Sequence, residues 1–108
     1  MPRYSCPYFG AEVELTSERA DHIERHHPDL LPEHAEALAS TLADPDEVRS
    51  DERFPGTLAF SRWHGNVKRG KYIVVVVVSD AMPVRHWVVT AFIARRLSSK
   101  GEVEWKRS

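Results

Sequence analysis

The chain has 108 residues, 42% hydrophobic and 29% charged, which is enough for one domain with its own core and no dependence on disulfides or metal. Cys6 is the sole cysteine, which excludes an internal disulfide, and the longest apolar run, residues 72–78, is too short to span a bilayer. The formal net charge of −1 conceals an acidic half and a basic half: residues 1–54 carry 5 Lys and Arg against 13 Asp and Glu, residues 55–108 carry 10 against 3.

Residues 1–7 contain no basic start followed by an apolar stretch, so a cytoplasmic location is expected. Pro7 and Gly10 punctuate the opening, and residues 11–15 alternate like a short strand. Thr16 or Ser17 can cap a helix, with Glu18 and Asp21 well placed in its first turn. This helix should run to about His26, because His27 precedes Pro28 and the proline ring disfavours a helical residue before it. A second helix is predicted from near Pro32, with Leu31, Ala35, Leu38 and Leu42 as its apolar stripe and Asp44-Pro45 as its stop.

From there the texture is that of a sheet. Residues 47–51 suggest a short edge strand and residues 57–64 a stronger one, followed by a turn at Gly65-Asn66 and Gly70. Residues 71–78 are apolar on both faces, which places them in mid-sheet. Residues 80–83 turn the chain into residues 84–94, and a last short strand is expected over 102–105. The expectation is one α+β domain, residues 1–46 mainly helical and 47–108 mainly β, with one or two helices packed on a four- to five-stranded antiparallel meander.

The chemistry concentrates in His22-Ile23-Glu24-Arg25-His26-His27, which holds half of the six histidines. Histidine alone has an unperturbed pKa suited to proton transfer at neutral pH. His22 and His26 lie one turn apart on a helix, but a zinc-protease motif requires Glu where Ile23 stands. A third ligand would have to come from Asp29, His64 or His86, so no metal is expected. Acid–base chemistry suits the cluster better. Arg62, Lys71, Arg85 and Lys68 can neutralise a phosphate, and Thr90 or Ser61 can donate a hydrogen bond to it. The bland alternative is that the histidines end a helix and the cations solvate the sheet. Likewise, the charge asymmetry fits a polyanion or acidic partner, or simple attraction between the two halves. Trp63, Trp87 and Trp105 can stack on bases, although strand aromatics more often pack as cross-strand pairs.

A resemblance adds to this reading. Val13-Glu14-Leu15-Thr16-Ser17-Glu18-Arg19, then His22-Ile23 and His27-Pro28, are followed in order by Asp44-Pro45-Asp46-Glu47-Val48, a strand ending at Arg62, Lys71-Tyr72, Val89-Thr90-Ala91-Phe92 and Lys100-Gly101. This series, over roughly residues 12–105, resembles small phage and bacterial proteins of the barnase–EndoU–colicin–RelE-like (BECR) nuclease superfamily. The resemblance implies RNA cleavage without metal or cofactor. It places His22, Arg62, Lys71 and Thr90 as catalytic and His27 on the substrate, where Arg85 and Lys68, read from their charge alone, are expected to join it. Two positions depart from the pattern: His26 stands where a basic residue is common, and Phe92 where tyrosine is common.

The expected function is therefore a metal-independent endoribonuclease, in which a base removes the ribose 2′-hydroxyl proton and an acid protonates the leaving oxygen. RNA is the expected partner, with an antitoxin or acidic protein as another, as suits a toxin of a toxin–antitoxin or phage-related system. The alternatives are a non-catalytic RNA- or partner-binding module of the same fold, or a protein that interacts through its acidic helices. If the reading holds, His22 should lie within reach of Arg62, Lys71 or Thr90.

Overall fold

In the computed structural model, which describes residues 2–51 and 56–108, the alternating segments form a seven-stranded sheet. The elements are β1 (Arg3–Cys6), β2 (Ala11–Glu14), α1 (Ser17–His26), α2 (Ala35–Ala43), β3 (Glu47–Ser50), β4 (Thr57–His64), β5 (Lys71–Ala81), β6 (Val84–Ala94) and β7 (Val103–Lys106). The fold is α+β. Its sheet order, β1-β2-β6-β5-β4-β3-β7, replaces the expected four- to five-stranded meander.

Three differences account for that. β1 was not expected; it pairs antiparallel with β2 through a turn over Pro7 to Gly10, where Gly10 takes a φ of +65°. β2 joins β6 in parallel at Glu14↔Trp87, so the sheet is mixed and the N-terminal half is not purely helical. β7 pairs with β3 rather than with its sequence neighbour β6, so β3 is an inner strand.

The α1 reading holds in detail. Thr16 caps the helix by accepting a 3.2 Å hydrogen bond from the Arg19 amide, and His27 is the residue that ends it. α2 begins later than Pro32, at Ala35, because residues 29–34 form turns that bury Leu30 and Leu31.

One face of the sheet carries Phe60, Ile73, Val75, Val77, Val88 and Ala91, all fully buried beneath the helices with Ile23, Leu38 and Leu42. The opposite, open face carries Ser61, Val74, Val76, Thr90 and Phe92, by strand alternation and register. β6 and β7 are separated by β5, β4 and β3, so residues 95–102 must cross the sheet to connect them. They do so over the open face, where Arg96, Leu97, Ser98 and Lys100 oppose the strands. This crossing covers Val74 and explains why the valine run is apolar on both sides.

Beneath α2, buried His64 meets Thr41 at 2.9 Å. The Thr41 hydroxyl spends its one proton on the Ala37 carbonyl at 2.8 Å, so His64 Nε2 must be the donor to Thr41. Burial, then the charge of Arg62, holds the His64 pKa below the ordinary imidazole value of 6.5. The unfolded chain therefore binds a proton first as pH falls below 6.5, and stability is lost from that point down to the folded pKa. Urea unfolding at pH 7.5 and 5.0 should show this loss, at most about 1.4 kcal/mol per pH unit for one proton, and His64→Gln should flatten it.

Candidate nucleic-acid interface

Strand register decides which of the expected site residues can meet. Arg62 pairs with Ile73, and Lys71 has the alternation of Ile73 and Val75, so both belong to the helix-covered face. Thr90 pairs with Val76 and belongs to the open face. The three do not converge on one group. Arg62 instead closes the C-terminal end of α2, donating to the carbonyl oxygens of Ser40 (3.5 Å) and Asp44 (3.2 Å) and pairing with the Asp44 carboxylate at 3.4 Å. That is a favourable place for a cation, because the last helical carbonyls are otherwise unsatisfied. Lys71 Nζ donates to the carbonyls of Lys68 (2.9 Å) and Gly70 (3.1 Å) and so closes the β4–β5 turn. Arg85 pairs with Glu14 at 3.0 Å and lies 4.8 Å over the Trp87 ring. It sits opposite Asp80, roughly 30 Å along β5 from Lys71.

Ion pairs consume much of the charge asymmetry. Arg62 and Arg107 reach Asp44, Lys68 reaches Asp29 at 2.8 Å, and Arg85 reaches Glu14. Each joins a C-terminal cation to an N-terminal carboxylate. Mutual attraction of the halves thus accounts for these groups. Arg69, Arg95, Arg96 and Lys100 remain exposed, with no side-chain ion pair among the described residues.

The histidine cluster lies along β6. A bulge leaves Val89 unmatched between the pairs Val76↔Thr90 and Val77↔Val88. Arg19 of α1 donates to the Val89 carbonyl at 3.2 Å, which sets the helix beside Thr90. At the helix end the His27 ring lies 6.0 Å from the Phe92 ring. His22 and His26 rings are 4.5 Å apart. Burial first, then the charges of Arg19, His26, Arg25 and His27, holds His22 below the ordinary imidazole range. Neither Arg62 nor Lys71 is among the charges that act on it. That direction favours the neutral form of His22, the form able to accept a proton. Asp29, two residues beyond His27, holds Lys68 at 2.8 Å, and its carboxyl is lowered chiefly by that hydrogen bond, with His27 the smallest contribution.

For metal binding the geometry is unfavourable. Asp29 holds Lys68, His64 is bound to Thr41, and His86 stacks on Phe9 at 3.9 Å with its Nδ1 2.6 Å from Ser79. Among the described residues, no group of three His, Cys, Asp or Glu side chains is arranged to hold an ion. Cys6 is buried, and its thiol is pushed up by desolvation, which opposes a nucleophilic role.

On the other side of Phe92, the sheet and the crossing segment enclose a cavity of about 470 Å³. Val74, Val76 and Phe92 supply its apolar floor, while Arg96 and Lys100 line its wall from the crossing segment. Arg49 fixes that wall. It pairs with both Glu47 carboxylate oxygens (3.2 and 3.4 Å) and donates to the carbonyls of Ser99, Lys100 and Gly101 at 3.3–3.5 Å. Phe92 is thus shared by the histidine cluster and the cavity. Arg19, Arg49 and Arg96 were not singled out as site residues from sequence; the Arg95-Arg96 pair between a strand and Gly101 was the available signal. No family model, curated protein or solved structure compared with the chain matches it.

Proposed function

We propose that the chain is a metal-independent endoribonuclease of the BECR kind, acting on RNA laid across the open face. One observation carries the proposal: Phe92 on that face has His27 at 6.0 Å on one side and the Arg96- and Lys100-walled cavity on the other. Proton-transfer groups and unpaired cations therefore border the same surface.

Neutral His22 takes the proton of the ribose 2′-hydroxyl. That oxygen attacks the adjacent phosphorus, the bond from phosphorus to the 5′ oxygen breaks, and a second histidine of the cluster, His27 or His26, acts as the acid that gives a proton to the leaving oxygen. Arg96 and Lys100 offset the charge that accumulates on phosphorus, and Thr90 donates a hydrogen bond. Arg62 and Lys71 drop out of this set, since helix and loop carbonyls already engage them. An acidic antitoxin covering Arg95, Arg96 and Lys100 would silence such a protein.

Purified protein should cut labelled RNA in EDTA and leave a 2′,3′-cyclic phosphate. Cleavage abolished by EDTA and restored by zinc would overturn the mechanism. The engagement of Arg62 and Lys71 on the covered face favours one rival, a non-catalytic RNA- or partner-binding module; binding without any cleavage would select it. In either case Arg96→Glu with Lys100→Glu should weaken RNA binding and flatten its salt dependence, because phosphate contacts release counterions.

A further inference from the structure

We infer that the open face continues past the cavity to a base-stacking platform at Trp63, and that the RNA it takes is single-stranded. The inference rests on the proposal that RNA lies on this face. It adds the strandedness of the substrate and a residue outside the acid–base cluster.

Register supplies the geometry. Ser61, Val74 and Phe92 form one row across β4, β5 and β6. The next row on the same face is Trp63, Tyr72 and Ala94. Rows two residues apart lie roughly 7 Å apart along a strand, and β4 and β6 are two strand spacings apart, so Trp63 and Phe92 stand roughly 12 Å apart on one face, as two separate aromatic surfaces for a stretched chain of bases.

Trp63 is 48% exposed, an unusual state for so large an apolar side chain. Its ring is nevertheless held. It meets Tyr72 edge-on at 5.0 Å and 76°, and it lies so close over Gly70 that a Cβ there would overlap the indole. The residue is exposed and also pre-oriented, which is what a stacking surface requires, since little freedom is then lost on binding.

Charge favours a polyanion over a protein as the occupant. Arg69 precedes Gly70 in the turn beneath Trp63, and Arg95 and Arg96 follow Ala94 at the other end of the row. All three guanidiniums are exposed and have no ion-pair partner among the described residues. Bases within a duplex stack on one another and cannot lie on a protein ring, whereas unpaired bases can.

The test uses an eight-nucleotide oligouridylate with 2′-deoxy substitution at every sugar, so that binding is read without cleavage, and a blunt RNA duplex of the same length. The single strand should bind tighter than the duplex and quench tryptophan fluorescence. Trp63→Ala should weaken single-strand binding by about 5- to 100-fold. Trp63→Phe should recover part of the loss, and unfolding midpoints should confirm that both variants fold. Gly70→Ala, which displaces the indole without removing it, should also weaken binding. Equal binding of duplex and single strand, or unaltered binding in folded Trp63→Ala, overturns the platform. So does a Trp63→Ala defect confined to a protein ligand. If the oligonucleotide binds through Trp63 while RNA is never cut, the platform stands and the nuclease proposal alone fails.

Discussion

Replacing His22 with alanine is expected to slow RNA cleavage by about 10²–10⁴-fold, the usual contribution of a positioned proton-transfer group. The loss should fall on kcat, with KM and RNA affinity little changed, because such a group acts mainly in the transition state. Folding should be largely retained. His22 is half-buried, its ring contact is with His26, and it makes no side-chain hydrogen bond among the described residues. The pH profile supplies an independent readout. With the folded pKa held below 6.5, the acid limb of the rate profile should lie below that value in the wild type. Arg19→Ala removes a cation that depresses His22, so it should move the acid limb upward. His26→Ala should cost less than His22→Ala. Full activity in His22→Ala would refute the assignment.

Gly101→Ala should be the most damaging single methyl group that can be added near the crossing segment. Gly101 has a φ of +76°, a left-handed conformation that an L side chain adopts only under strain. A Cβ would also overlap the carbonyl oxygen of Ser50, a backbone atom that cannot swing aside as a side chain could. Relief requires moving the segment, which would break the Glu102 carbonyl from the Ser50 amide (2.8 Å) and the Gly101 carbonyl from Arg49 (3.5 Å). A loss of about 2–4 kcal/mol is expected in urea unfolding, the range of strained backbone combined with a steric overlap and broken hydrogen bonds. Hydrogen exchange should locate it, with the Ser50 amide losing protection before the amides of β5. An alanine variant as stable as the wild type would show that this segment is not seated as described.

The local signals in the sequence were strong where one residue decides the outcome. Thr16 or Ser17 as a cap, of which the fold uses Thr16, Pro28 as a stop after His27 and a strand over residues 57–64 each correspond to what is found. Partner choice was not legible. Nothing within residues 102–106 says that they pair with β3 across the sheet, because a ladder uses backbone groups common to every strand. The site suffered from the same limit. Arg62, Lys71 and Thr90 looked alike as polar strand residues, yet the face each occupies depends on register and on a single bulged residue, Val89. The cavity was invisible for another reason: it exists only because residues 95–102 cross above the strands.

The central position of β5 has a further consequence, for solubility. Val74-Val75-Val76-Val77-Val78 combines high β-propensity with no charge and no proline, the composition of a segment that stacks into fibrils. In the folded protein β4 and β6 pair with it on both sides, so its backbone offers no open ladder to a neighbouring molecule. The outer strands are instead β1 and β7, each only four residues long, and β7 carries Glu104 and Lys106 and a register shift against β3. Short, charged, irregular edges of this kind discourage sheet-to-sheet growth. The chain thus confines its most self-adhesive stretch to the middle strand, whose backbone is reached only when the sheet opens.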